Sequence, residues 1–282
     1  MPIHLPHGKK CAVCLTFDFD ALSYWLISGL DTPFYISRGE FGARVGVPRL
    51  LALLEKYQIP ATFCVPGHSA DTYPQLVKRI NDAGHEIAHH GYCHEIPETL
   101  DEMEEEKLLV KGIESIEAVT GKVPLGYRAP SLKMSKNTVK LLVEHGFRYD
   151  STLTGDDYTP YKCRVGDTPS TDGPFKFGKE IDLIEIPVAL SLGDWEHFEV
   201  EATPTAVWPG LRAASDVLEN WQADFDYMYD NVSSGVMVLV MHPQVIGRGH
   251  RIRMLERFIQ MIGSKPGVYF TKLIDLANCW RD

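Results

Sequence analysis

Positive charge is scarce in this sequence. Its 282 residues hold 28 lysines and arginines against 38 aspartates and glutamates, a formal net charge of -10. A general nucleic-acid binder needs a basic face, so that class is excluded, and nothing here draws the chain to anionic membranes. Long apolar runs are also missing: none approaches the roughly 20 residues that cross a bilayer. The first ten residues, broken by Pro2 and Pro6, lack the apolar segment of a signal peptide. The six cysteines are scattered, with Cys11, Cys14 and Cys64 inside strand-like runs. That usage fits reduced thiols in a cytoplasm better than a disulfide framework. Cys11 and Cys14, three apart on one strand, face opposite sides and read as packed core thiols rather than a redox or zinc pair. Linker tracts, repeats and low-complexity segments are absent too, so residues 1–282 read as one catalytic domain.

Hydrophobic content of 44% and charged content of 23% are those of an ordinary globular protein. Strand-like runs near 11–18, 60–66, 86–90, 124–129, 147–151, 182–188, 235–242 and 267–271 alternate with helix-like segments. The helical segments carry apolar residues three and four apart, as Leu76, Ile80 and Ala83 do. Gly84, Gly121 and Gly146 stand where helix C-caps belong. Seven or eight βα repeats in a chain this long predict a mostly parallel sheet wound into a distorted (β/α)7–8, TIM-like α/β barrel. Two stretches break the rhythm and read as long loops near the barrel mouth: 20–46, with Tyr24, Trp25, Arg38 and Glu40, and 152–181, rich in Gly, Pro, Asp and Thr.

In such a barrel the chemistry gathers at the C-terminal ends of the strands. The first strand ends in Asp18-Phe19-Asp20. Side chains two apart leave a strand on the same face, so both carboxylates point together and resist joint ionisation unless a cation is present. His90 and His94, after the third strand, have a spacing that suits a metal pair. Alone, the pair reads equally as a solvated turn; beside the paired acids it points to metal. His89 should face away and be structural, and His85 should mark strand entry on the far rim. Other strand ends offer Arg128, Asp150, Asp194 with Trp195, and His242 before Pro243. Arg128 either pairs with a surface acid or orients a carboxylate in the mouth. His242 is either a turn residue or a proton donor. His68, His197 and His250 lie on loops and read as solvated or substrate-facing. Glu40, Asp150, Asp194, Trp195 and Arg248 are assigned to substrate contact. The acidic run from Glu102 to Glu106 suits a helix N-terminus and is read as a solvated face.

Together, Thr16-Phe-Asp-Phe-Asp20, His90-Gly-Tyr-Cys-His94, Gly126-Tyr-Arg-Ala-Pro130, Tyr149-Asp-Ser151 and Met241-His-Pro243 resemble, in order, the motifs of the polysaccharide deacetylases. This is the NodB-homology superfamily, carbohydrate esterase family 4. Ser37-Arg-Gly-Glu-Phe-Gly-Ala-Arg44 and Pro66-Gly-His-Ser-Ala70 are similar to a cytoplasmic-type branch holding peptidoglycan deacetylase-like, allantoinase-like and cyclic imide hydrolase-like proteins. The resemblance implies Asp20, His90 and His94 as metal ligands, Asp18 as general base, Arg128 as its orienting partner and His242 as general acid. It also implies a homo-oligomer, a dimer or a tetramer. Two departures stand out. Phe19 separates acids that are usually adjacent, and Gly91 replaces the usual Ser or Thr, removing a hydroxyl that stabilises the loop.

One carboxylate with two imidazoles suits zinc and admits cobalt, nickel, iron or manganese. The expected activity is hydrolysis of a non-peptide C–N bond in a small amide, imide, ureide or N-acetyl compound. N-deacetylation of a peptidoglycan- or chitin-type polysaccharide is the alternative. A metal-independent, allantoinase-like ureide hydrolase and a non-catalytic metal- or ligand-binding module are the remaining readings. The module needs neither the base nor the acid that Asp18 and His242 supply.

Overall fold

The computed structural model describes residues 3–199, 201–202, 207–208 and 210–281. Among the described residues eleven strands form in chain order: β1 (Cys11–Asp18), β2 (Thr62–Val65), β3 (Glu86–His89), β4 (Gly126–Tyr127), β5 (Tyr149–Asp150), β6 (Tyr161–Val165), β7 (Lys179–Glu185), β8 (Glu201–Ala202), β9 (Val207–Trp208), β10 (Val236–Met241) and β11 (Val268–Phe270). Nine make one curled sheet in the order β10-β1-β2-β3-β4-β5-β7-β6, with β11 also paired to β1. Every pairing in that sheet is parallel except β6 with β7, and β8 pairs separately with β9, antiparallel. The chain after β7 reaches back to the opposite edge through a bridge between Gly193 and Val240. The result is the distorted barrel expected from the βα rhythm.

β1 is buried along its whole length, which is why it reads as a continuous apolar run rather than an alternating one. Val13, Leu15 and Phe17 join the main core, while Ala12 and Cys14 face a second cluster with Val236, Val238 and Val240 of β10. Phe17 and Phe63 pack with ring centroids 5.0 Å apart. Fully burying an aromatic side chain of this size stabilises the fold by about 1.5–3 kcal/mol. The cysteines are free, and Cys11, Cys14 and Cys64 are buried, as expected for packed thiols. Burial pushes the Cys64 thiol well above its ordinary range. No helix among the described residues is long and apolar enough to cross a membrane.

Both expected loops contain regular structure. Residues 20–46 hold short helices at Ser23–Ile27 and Pro33–Phe41 and a π-helical turn at Gly42–Gly46. Their glycines look like loop punctuation in the sequence. In the fold they are close-approach points: a Cβ on Gly39 would sit 2.3 Å from the Ala21 carbonyl oxygen, and one on Gly46 2.2 Å from that of Pro243. Residues 152–181 contain β6, folded back antiparallel onto β7. A long helix runs from Ala214 to Asn231 and precedes β10.

Candidate active site

The C-terminal ends of β1, β3 and β10 open into a cavity of about 310 Å³. Phe19 turns away from it toward Tyr73, so strand alternation aims Asp18 and Asp20 into the same space. The inserted residue preserves the pairing of the acids.

Asp18 is anchored from behind. Its Oδ1 accepts a hydrogen bond from Arg128 Nη1 at 2.7 Å. The fully buried guanidinium also donates to Thr16 Oγ1, Ser151 Oγ and the Ser151 carbonyl, and is thereby held in one orientation. Burial alone would push the Asp18 carboxyl up. Arg128, helped by His90 and His242, outweighs it and brings the carboxyl down to about 2. Asp18 is therefore ionised at neutral pH.

Asp20, His90 and His94 converge beside it. His90 Nε2 is 3.5 Å from Asp20 Oδ1, His94 Nε2 is 3.9 Å from the same oxygen, and the three donor atoms lie within 4.8 Å of one another. Two donors about 2.1 Å from one tetrahedral ion stand roughly 3.4 Å apart, close to the separations of 3.5 and 3.9 Å between the Asp20 oxygen and the two imidazoles. Asp20 Oδ1 is buried and has no hydrogen-bond partner, an arrangement that is costly unless something positive sits against it. His90 Nδ1 bonds the Arg128 carbonyl at 2.8 Å, which directs Nε2 inward, as for an oriented metal ligand. Burial, with the charges of His90 and His242, drives the His94 imidazole well below its ordinary range and toward the neutral form that binds metals. Burial, reinforced by Asp18 against the pull of His242, lifts the Asp20 carboxyl to about 7. One carboxylate and two neutral imidazoles with a bare, buried oxygen fit a divalent cation.

His242 faces this cluster from β10, its Nε2 3.8 Å from Asp20 Oδ2. Asp194 grips it twice: Oδ2 accepts the His242 backbone N–H at 2.9 Å, and Oδ1 pairs with Nδ1 at 2.7 Å. Burial opposes protonation of this ring. The charge and hydrogen bond of Asp194, then Asp20 and Asp18, override it and push His242 up to about 10. Tyr24 and Trp195 wall the cavity with ring centroids 4.9 Å apart, and Trp195 lies 5.0 Å from His242.

Not every residue assigned to substrate contact reaches this cavity. Trp195 lines it. Asp194 is buried behind His242, where it can act on substrate only through that ring. Asp150 points into a buried cluster with Thr152 and Glu185, because Ser151 takes the position that faces Arg128. Glu40 lies on the Pro33–Phe41 helix, where its charge adds to burial in raising the Tyr73 hydroxyl, and Arg248 stacks 3.6 Å over the Phe41 ring; neither is part of the cavity wall. His89 is structural as expected, stacked on Tyr127 and bonded to the Leu109 carbonyl. His85 accepts the Ala61 N–H at strand entry. His197 bonds the Ser191 carbonyl, and His68 packs against Tyr92. Leu132, Lys133, Leu190 and Glu196 line the cavity without having been singled out. Gln244, also missed, donates to Asp20 Oδ2 at 3.4 Å.

The family model for polysaccharide deacetylase matches residues 7–149. A Helicobacter pylori peptidoglycan deacetylase is 38% identical, over 96% of each chain. A crystal structure from Mycobacterium smegmatis, assigned to the polysaccharide deacetylases, superposes with a TM-score of 0.87 at 38% identity, covering 99% of this chain and 93% of that one. The crystal structure of Puue allantoinase superposes with a TM-score of 0.82 at 25% identity, covering 100% and 94%. The chain belongs to the polysaccharide deacetylase family, hydrolases of carbon–nitrogen bonds other than peptide bonds.

Proposed function

We propose that this protein, acting as one catalytic domain, removes the N-acetyl group from an amino sugar of a peptidoglycan-type glycan, releasing acetate and a free amine. The observation that carries this reading is the placement of Asp18, paired with Arg128, and of His242, paired with Asp194, around one Asp20-His90-His94 donor set. The name of the Helicobacter pylori relative favours a glycan over the small amide expected from the sequence.

Asp20, His90 and His94 would hold a divalent cation, with zinc the best match to one oxygen and two nitrogen ligands. Bound there, the cation supplies Lewis acidity, acidifying water and polarising the amide carbonyl. Asp18, kept ionised by Arg128, takes a proton from the attacking water. His242, kept protonated by Asp194, gives a proton to the departing nitrogen, which is a poor leaving group without it. Water is thereby divided: its hydroxyl ends on the acetate and a proton on the amine. Tyr24 and Trp195 offer flat apolar faces against which a sugar ring can stack.

The test is acetate release from N-acetylglucosamine oligomers and peptidoglycan fragments by the zinc-loaded protein. Acetate formed in equal amount to new amine is expected. An inert protein across these substrates contradicts the reading. A second reading, hydrolysis of a small cyclic amide or ureide, is favoured by the modest cavity, walled by Tyr24, Leu132, Leu190 and Trp195 and within the size range of small-molecule sites. Turnover of cyclic imides or allantoin, with none of the glycans, would select it.

A further inference from the structure

The turn from His90 to His94 carries two of the three proposed ligands, and its backbone is unusual. Gly91 has φ +70° and His94 has φ +60°, a left-handed conformation that a non-glycine residue keeps only where its surroundings enforce it. Gly91 also lacks the side chain that would brace such a turn. A Cβ there would lie 2.9 Å from both Glu95 Oε1 and Pro130 Cγ. The space that a side chain would need is taken by the Glu95 carboxylate.

That carboxylate is buried and clamps the turn. Oε1 accepts the Tyr92 N–H at 2.7 Å and Oε2 accepts the Cys93 N–H at 2.7 Å. Three more polar groups of the turn are also used. Gly91 N–H donates to His89 Nδ1, and the Gly91 and Tyr92 carbonyls accept from Gly67 and His68. Within this turn Glu95 holds two successive N–H groups at once, and it follows His94 directly in the chain.

We infer that Glu95 is the positioning residue of the cation site, its carboxylate bracing the turn so that His90 and His94 meet Asp20. This rests on the reading of Asp20, His90 and His94 as a cation site. It assigns to a buried acid the work of the hydroxyl that Gly91 lacks. Carboxylate acceptors of backbone N–H groups are charge-assisted and stronger than neutral ones. Glu95→Gln keeps one acceptor oxygen and sets an NH2 against the other N–H; Glu95→Ala leaves both without a protein partner.

The test is zinc affinity by chelator competition for the whole protein, Glu95→Ala, Glu95→Gln and His94→Ala, with the visible spectrum of the cobalt-substituted forms and melting in chelator. Zinc binding about 10–100-fold weaker in the Glu95 variants, the range for residues that support ligands, with an altered cobalt spectrum, is expected. A role in folding alone would lower melting in chelator and leave zinc affinity and the cobalt spectrum unchanged. Should Glu95→Ala fail to fold, Glu95→Gln decides. Zinc affinity within twofold of the unaltered protein in the folded Glu95 variants overturns the inference, while loss in His94→Ala keeps the cation site. An unaltered protein that binds no zinc overturns both.

Discussion

Asp194 binds His242 at two points, the backbone N–H and the ring Nδ1, and so fixes both the position of the histidine and its proton. The buried carboxylate makes a cation of a ring that burial alone would keep neutral. The proposed acid arm of the site is therefore a pair of residues from two separate segments, joined where the Gly193–Val240 bridge closes the barrel.

Asp194→Asn removes the charge that raises His242. The histidine's pKa falls, so the alkaline limb of the pH–rate profile moves toward lower pH, and kcat drops on the order of 10²-fold or more as the general acid is lost at neutral pH. The measurement is the pH dependence of acetate release. An unmoved alkaline limb would assign it to another group.

Arg128→Met leaves Asp18 buried without its partner. Breaking a buried pair in this way costs about 3–5 kcal/mol, to be read by urea denaturation. The Asp18 carboxyl then titrates higher, so the acid limb of activity shifts upward in pH. In the unaltered protein, the stability that Asp18 contributes is fully present above its ordinary pKa of 3.8 and is lost as pH falls toward about 2. The variant should lack that loss.

Gly91→Ala places a Cβ in left-handed backbone and against Glu95 and Pro130. The conformational cost is about 1–2 kcal/mol. Because the displaced atoms support the histidine turn, zinc affinity should fall together with melting temperature. Retained zinc affinity would show that the turn tolerates the clash by moving elsewhere.

Trp195→Ala opens the cavity wall beside Tyr24 and His242. If the indole stacks on substrate, KM rises about fivefold or more, since an aromatic contact of this kind is worth roughly 1 kcal/mol beyond its buried area, and kcat changes less. An effect on kcat alone would place Trp195 in support of His242 instead of substrate.

The sequence made most of the sheet legible because the parallel strands are buried on both faces and stand out as apolar runs. β6 escaped notice because only Cys163 of its five residues is buried, and its flanks are rich in Gly, Pro and Asp. The helices of 20–46 were hidden by glycines whose purpose is close packing. At the site, the i, i+2 rule placed Asp18 and Asp20 correctly, since it depends only on strand geometry. At β5 the pattern did not tell which of Asp150 and Ser151 faces inward, and tertiary packing chose Ser151. Glu40 reads as too close for a related reason: a residue on a presumed loop has no defined direction. Arg248 stands at the start of the Gly249–Gly263 helix, where it stacks on Phe41. Gln244 and Glu95 had no spacing signal beyond standing next to recognised motifs.

The central claim is that Asp20, His90 and His94 hold the cation used in hydrolysis. It is tested most directly by titrating zinc into chelator-stripped protein while following acetate release from N-acetylglucosamine oligomers, with His94→Ala in parallel. The account predicts activity that rises with zinc and saturates at about one equivalent per chain, with no rise in His94→Ala. Stripped protein that is already fully active, or a His94→Ala protein that regains activity at the same stoichiometry, would contradict it.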